Sequence, residues 1–267
     1  MDDPTSVWLT YGAAFAIALY MTAAWRQFRA RRVWRAGSTM QIAKISAYQM
    51  ALMTGGVARV ALTGVVRLIG RKVLLPGVAG VLTENGKFHG ALDEIERETL
   101  EAAKTPALLM ELLARLDARI KRKKLVAQLR VGLIAAGYMQ SFGSRKWWTN
   151  YLQNMLPFAV LLAAAIAAVA DVAMTADAQY LLLRFIGGSV VTMLVVALPA
   201  RVTALGRYIV WSATQHHPDF KTARADHGDS IDVKMLGQSV ALYGEDALAG
   251  SDMAWIPAMM GAAENTD

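Results

Sequence analysis

The chain has no cysteine, which removes disulfides, thiolate metal sites and cysteine nucleophiles from consideration. Charge is also scarce. Of 267 residues, 18% are charged and 55% hydrophobic, and the mean hydropathy is +0.32. A soluble protein this apolar is unusual, so membrane spans are the first thing to look for. Two signatures of chemistry are missing as well. No glycine-rich loop ends in Gly-Lys-Ser/Thr to cradle a phosphate, and no His-Glu-x-x-His helix holds a zinc ion.

Three apolar runs are present, each about the 20 residues needed to cross roughly 30 Å of hydrocarbon. Val7 to Trp25 carries no charge, Met155 to Thr175 carries one acid, Asp171, and Ala178 to Pro199 carries one base, Arg184. The first run does not read as a cleaved signal, because bases should precede such a run. Here MDDP precedes it and RQFRARRVWR follows. With the N-terminus outside, 27 of the 28 Lys and Arg fall on the cytoplasmic side, and the remaining one, Arg184, lies within a span. The expected topology is three spans, N-terminus out and C-terminus in, in a bacterial inner membrane.

This divides the chain into an N-terminal transmembrane anchor (1–25), a basic cytoplasmic helical domain with a small hairpin (26–154), a transmembrane helical hairpin (155–200) and a cytoplasmic C-terminal tail (201–267). Residues 26–154 hold 22 bases against 8 acids, and the tail 5 bases against 9 acids. Opposite charges on one membrane face suggest that the two pieces dock. Arg26, Arg29, Arg31, Arg32 and Arg35, interleaved with Trp25, Phe28 and Trp34, read as an interfacial anchor. Arg145, Lys146, Trp147, Trp148 and Tyr151 read as a second belt on the same side.

The stretch AYQMALMTGGVARVAL holds a contradiction. Its apolar spacing is helical, yet adjacent glycines disfavour a helix interior. Ile45, Tyr48, Ala51 and Leu52 share one helical face. Val57, Val60, Ala61, Val65 and Leu68 form a second stripe, so Gly55-Gly56 is expected to be a tight corner between two helices. KVLL and GVLT, separated by Pro-Gly and followed by Asn85-Gly86, read as a hairpin. Helix, corner, helix, hairpin is a winged-helix-like order. A helix over ALDEIERETLEAAK follows. Thr105-Pro106 should then cap a long helix that buries Leu109, Leu112, Leu113, Leu116 and Ile120.

In these residues the chain resembles a family of uncharacterised bacterial membrane proteins with a Y-x-x-A-x-x-x-G-G-x-x-R motif early in a cytoplasmic domain. Tyr48, Ala51, Gly55, Gly56 and Arg59 match it. The family often places a hydrophobic hairpin after that domain and ends with a V-A-L-x-G-x-x-A-L segment, here VALYGEDAL from Val240. The glycine-rich tail of many members is missing here. The resemblance implies architecture and carries no activity.

Four places could carry chemistry. Thr54, Gly55, Gly56 and Arg59 could bind an anion or a partner, although close helix packing explains the glycines more simply. Asp171 and Arg184 should sit at similar depth on adjacent spans, as a pair that holds the hairpin in register. His216, His217 and His227, among Asp219, Asp226, Asp229 and Asp232, are suitable metal ligands in a stretch that otherwise reads as a solvated loop. KRKK, Lys121 to Lys124, invites nucleic-acid binding but lies well after the second helix of the corner, and a solvated face near anionic lipid explains it better.

The sequence therefore describes a mainly α protein: three transmembrane helices with a helical, winged-helix-like cytoplasmic domain. The expected function is a non-catalytic scaffold or accessory subunit. The alternatives are a membrane-tethered nucleic-acid-binding regulator and a metal-dependent enzyme built on the histidine loop. Membrane lipid and another protein are the expected partners. Nucleic acid is disfavoured, a homo-oligomer stays open, and no cofactor is implied.

Overall fold

The computed structural model describes scattered positions between 13 and 28, and residues 45–77, 80–86, 90–155, 159, 201–216, 233–249 and 251–264. The described residues are mainly helical. The chain divides into two compact units. One comprises residues 1–39 and 140–205, the other 40–139 and 206–267.

The second unit opens with helix α1, Ala47–Gly70. A capping box starts it: Ser46 Oγ accepts from the Gln49 N–H, and the Gln49 side chain accepts from the Ser46 N–H. Gly56 interrupts it at φ 69°, ψ −151°, a region open almost only to glycine. The expected corner is therefore present, and α1 has two arms, 47–55 and 57–70.

Among the described residues α1 is the one helix long and apolar enough to cross a membrane. Its apolar side chains nonetheless pack inward. Val60, Val65, Val66 and Leu68 have no exposure, covered by neighbouring helices rather than turned outward as a lipid-facing helix requires.

Next come β1, Leu74–Pro76, and β2, Val81–Glu84, paired antiparallel with Leu74 opposite Glu84 and Pro76 opposite Leu82. Asn85 closes the open end of this hairpin. Its N–H donates to Val73 O and its side-chain amide to Lys72 O. Helix α2, Glu94–Ala103, is started by an Asp93–Glu96 capping box. A third strand that the sequence did not foreshadow, β3 at Ala107–Leu108, pairs antiparallel with the other edge of β2. Thr105-Pro106 therefore leads into a strand rather than capping a helix.

The long helix expected after it is two. Helix α3 is Leu109–Arg122 and helix α4 is Leu125–Ala135. They are separated by Lys124 in the left-handed conformation, φ 56°. KRKK thus spans a break. Lys121 pairs with Asp117 and Lys123 with Glu98, and bases in the last turn of α3 oppose the negative end of its dipole. Leu109, Leu112, Leu116 and Ile120 are buried as expected, while Leu113 is half-buried.

The C-terminal part adds α7, Val233–Tyr243, a 3-10 turn at Gly244–Leu248 and α8, Trp255–Glu264. Helix α7 packs along α1, which also meets α2, α3 and α4. The chain passes from the first unit to the second at 205, near the expected start of the tail at 201, and residues 206–267 share one core with 40–139. Leu68, Leu74, Leu82, Leu112, Leu236, Val240 and Ile256 all lie within it with 2% exposure or less.

In the first unit, residues 145–155 are helical (α5), as are the described positions between 13 and 28. Helix α6, Ala204–His216, begins there and continues into the second unit's sequence.

Candidate functional site

The corner of α1 and the end of α7 form one interlocked site. Thr54, at the end of the first arm, donates its hydroxyl to Ala241 O of α7. Arg59, one turn into the second arm, donates Nη1 to Leu242 O at 3.2 Å. Both acceptors belong to the last turn of α7, where carbonyls lack intrahelical partners and the helix dipole is negative. Helix α7 ends at Gly244, φ 73°, the left-handed residue that commonly terminates helices. A Cβ there would lie 2.6 Å from Arg59 Nη2, so this glycine both ends the helix and leaves room for the guanidinium. Arg59 in turn covers Gly55, whose Cβ, if present, would meet Arg59 Nε at 2.6 Å.

At this corner Thr54 and Arg59 aim donors at the carbonyl end of a helix of the same chain. Thr54, Gly55, Gly56 and Arg59 lie together at the corner, and the Thr54 hydroxyl and Arg59 Nη1 bond within the protein. The stretches around Tyr48–Arg59 and from Val240 meet at this contact.

Beside it lies an open cavity of about 360 Å³ between α1, α3, the 3-10 turn and α8. Its walls are largely apolar, with Leu62, Met110, Leu113 and Met260 facing it, and Gly55 and Arg59 at one end. Two carboxylates, Asp117 and Glu245, complete the lining. Met110 is 42% exposed, large for a side chain of its kind. The sequence pattern assigned Leu113 to the buried face. Nothing in the sequence linked α3 to Glu245 and Met260, because the meeting depends on α8 packing against α3.

A second polar cluster ties α1 to α2. The Glu96 carboxylate, fully buried, accepts from Arg71 Nη1 at 3.0 Å and from the Asp93 N–H. Its other oxygen lies 3.1 Å from Arg67 Nη2, a charge contact whose angle does not make a hydrogen bond. Arg67 also reaches Asp93 at 3.3 Å and lies over the Tyr48 ring, 5.0 Å from its centre. Glu98, on α2, faces Lys123 and Arg119 of α3. Burial pushes its carboxyl upward, but hydrogen bonds from Lys123 and Arg119 outweigh that and hold it below the usual carboxylate range. Both clusters are ion-pair networks between helices, although Arg67 Nε, Glu96 Oε1 and the Tyr48 hydroxyl are buried without a hydrogen-bond partner among the described residues.

The remaining sequence candidates lie elsewhere. Asp171, Arg184, His217 and His227 are outside the described residues, and His216 is the last residue of α6. No group of three metal-ligating side chains occurs among the described residues. No family model matches the chain, and neither a curated protein nor a solved structure is detectably similar to it.

Proposed function

We propose that the chain is a membrane-anchored, non-catalytic scaffold or accessory subunit, whose winged-helix-like cytoplasmic module contacts another protein. In this reading Val7 to Trp25, Met155 to Thr175 and Ala178 to Pro199 cross a bacterial inner membrane, N-terminus out and C-terminus in, and the family resemblance holds. The order of two α1 arms, hairpin and edge strand supports the winged-helix-like module. The common core of residues 40–139 and 206–267 supports their lying on one membrane face, which an even number of crossings between them provides. Exposed Ile17, Tyr20, Met21, Trp25 and Phe28 in the first unit support an apolar environment there.

The observation that carries the partner contact is the open cavity beside the corner. Apolar walls with two methionines adapt to varied side chains. Glu245 has no ion-pair partner among the described residues, so it suits a partner's aliphatic or aromatic side chain flanked by a base. A nucleic-acid regulator would need the second arm of α1 free to enter a groove. That arm is covered, and Arg59 and Arg67 are bonded within the unit.

Photo-crosslinking in cells from Ala58 and Ala114, with captured species identified by mass spectrometry, tests the reading. One protein should recur from both positions and disappear with Met110→Glu, at a surface position that leaves the core intact. Capture of lipid or nucleic acid alone, or of a protein indifferent to Met110→Glu, overturns it.

A further inference from the structure

The described residues of helix α5 present two different faces. Ser144 caps it, its Oγ accepting from the Trp147 N–H at 3.2 Å, after Gly143 turns the chain at φ 75°. Trp147 points inward. It is 7% exposed, stacks parallel to Tyr151 with centroids 5.4 Å apart, and is braced by Phe142 at 4.7 Å. Trp147 is therefore a packing residue, although the sequence grouped it with an interfacial belt.

The adjoining face is exposed, although the Trp148 ring stands edge-on to those of Trp147 and Tyr151, at 5.0 and 5.9 Å. Arg145, Trp148 and Leu152 follow one another at helical spacing and are all exposed, Trp148 at 51% and Leu152 at 60%. Phe142, just before the helix, is 83% exposed. Large apolar side chains this exposed and this close together in the chain are costly to leave in water. Arg145 and Lys146 stand exposed at the start of the helix, with no ion-pair partner among the described residues. The whole stretch from 118 to 170 contains no acid.

We propose that the exposed face of residues 142–152 lies on anionic lipid headgroups, with Phe142, Trp148 and Leu152 dipping into the interface and Arg145 and Lys146 on the phosphates. This rests on the membrane reading above and specifies its lipid chemistry. A bilayer is favoured over a protein partner for two reasons. An indole beside bases suits the boundary between headgroups and acyl chains, where one end is wet and the other apolar. The absence of acids also removes the repulsion that an anionic leaflet would exert.

The chain has no cysteine, so Leu152→Cys creates a unique labelling site in the full-length protein. A spin label there, in nanodiscs of phosphatidylcholine with or without phosphatidylglycerol, reports collision with apolar oxygen or with an aqueous nickel chelate. In the anionic discs the label should be oxygen-accessible and shielded from nickel. Replacing Arg145 and Lys146 by Gln, or omitting phosphatidylglycerol, should return it towards the aqueous signal. The local docking equilibrium should fall about fivefold per base removed, the equivalent of roughly 1 kcal/mol for a base near an anionic leaflet.

A label that stays nickel-accessible in anionic discs overturns the proposal. So does a label shielded from both reagents, which indicates a protein cover, or an oxygen-accessible label indifferent to lipid charge. Carbonate extraction of cell membranes separates this from the broader reading. A chain that resists extraction but has an aqueous label loses only the surface assignment, while a chain released by carbonate loses the membrane reading too.

Discussion

Gly56 is the residue on which the corner depends. A Cβ added there meets nothing within 4 Å, so the obstacle to another residue is backbone conformation and not space. Gly56→Ala should therefore destabilise the second unit by about 1–3 kcal/mol, read as a lowered denaturation midpoint. Glu98 makes a prediction in pH. Its carboxyl is held below the usual value of 4.5, so the folded state binds that proton less readily than the unfolded chain. The resulting stability is complete well above about pH 4.5 and is lost as pH falls through the folded value. Urea midpoints measured between neutral pH and about pH 3 should fall less steeply in Glu98→Gln than in the parent. The double glycine was legible in the sequence because it broke a helical pattern. The role of Arg59 was not, because its carbonyl acceptor lies 183 positions further on.

At the level of elements, α1 and α7 form the central contact of the second unit, and apolar burial holds it. Leu236 of α7 is 2% exposed and its neighbour Met235 is 43% exposed. Leu236→Ala should cost about 2–5 kcal/mol by opening a cavity against α1. Met235→Ala should stay within roughly 0.5 kcal/mol, and thermal unfolding of the two variants side by side checks the difference. The opposite charges of tail and domain suggested docking by attraction. The contact itself is apolar, with Thr54 and Arg59 reaching neutral carbonyls. Helix existence was readable from periodicity in α1, α2 and α3. The third strand was not, since two residues are too few for an alternating pattern, and neither was the break at Lys124, set by one backbone angle.

For the whole molecule, the proposed topology makes a direct prediction. A periplasmic reporter should be active when fused at the N-terminus and silent at the C-terminus, and a cytoplasmic reporter should do the reverse. Equal activity of one reporter at both ends would overturn an odd number of spans. Composition and local pattern by themselves determined a mainly helical chain, a corner at Gly55-Gly56 and a hairpin after it, because each depends on neighbours a few residues apart. Only the tertiary structure decided that α7 fills the corner, that Trp147 turns inward while Trp148 faces out, and that an open cavity forms beside Arg59. Those outcomes depend on which distant faces bury each other, and burial is decided by contacts between elements that no local spacing encodes.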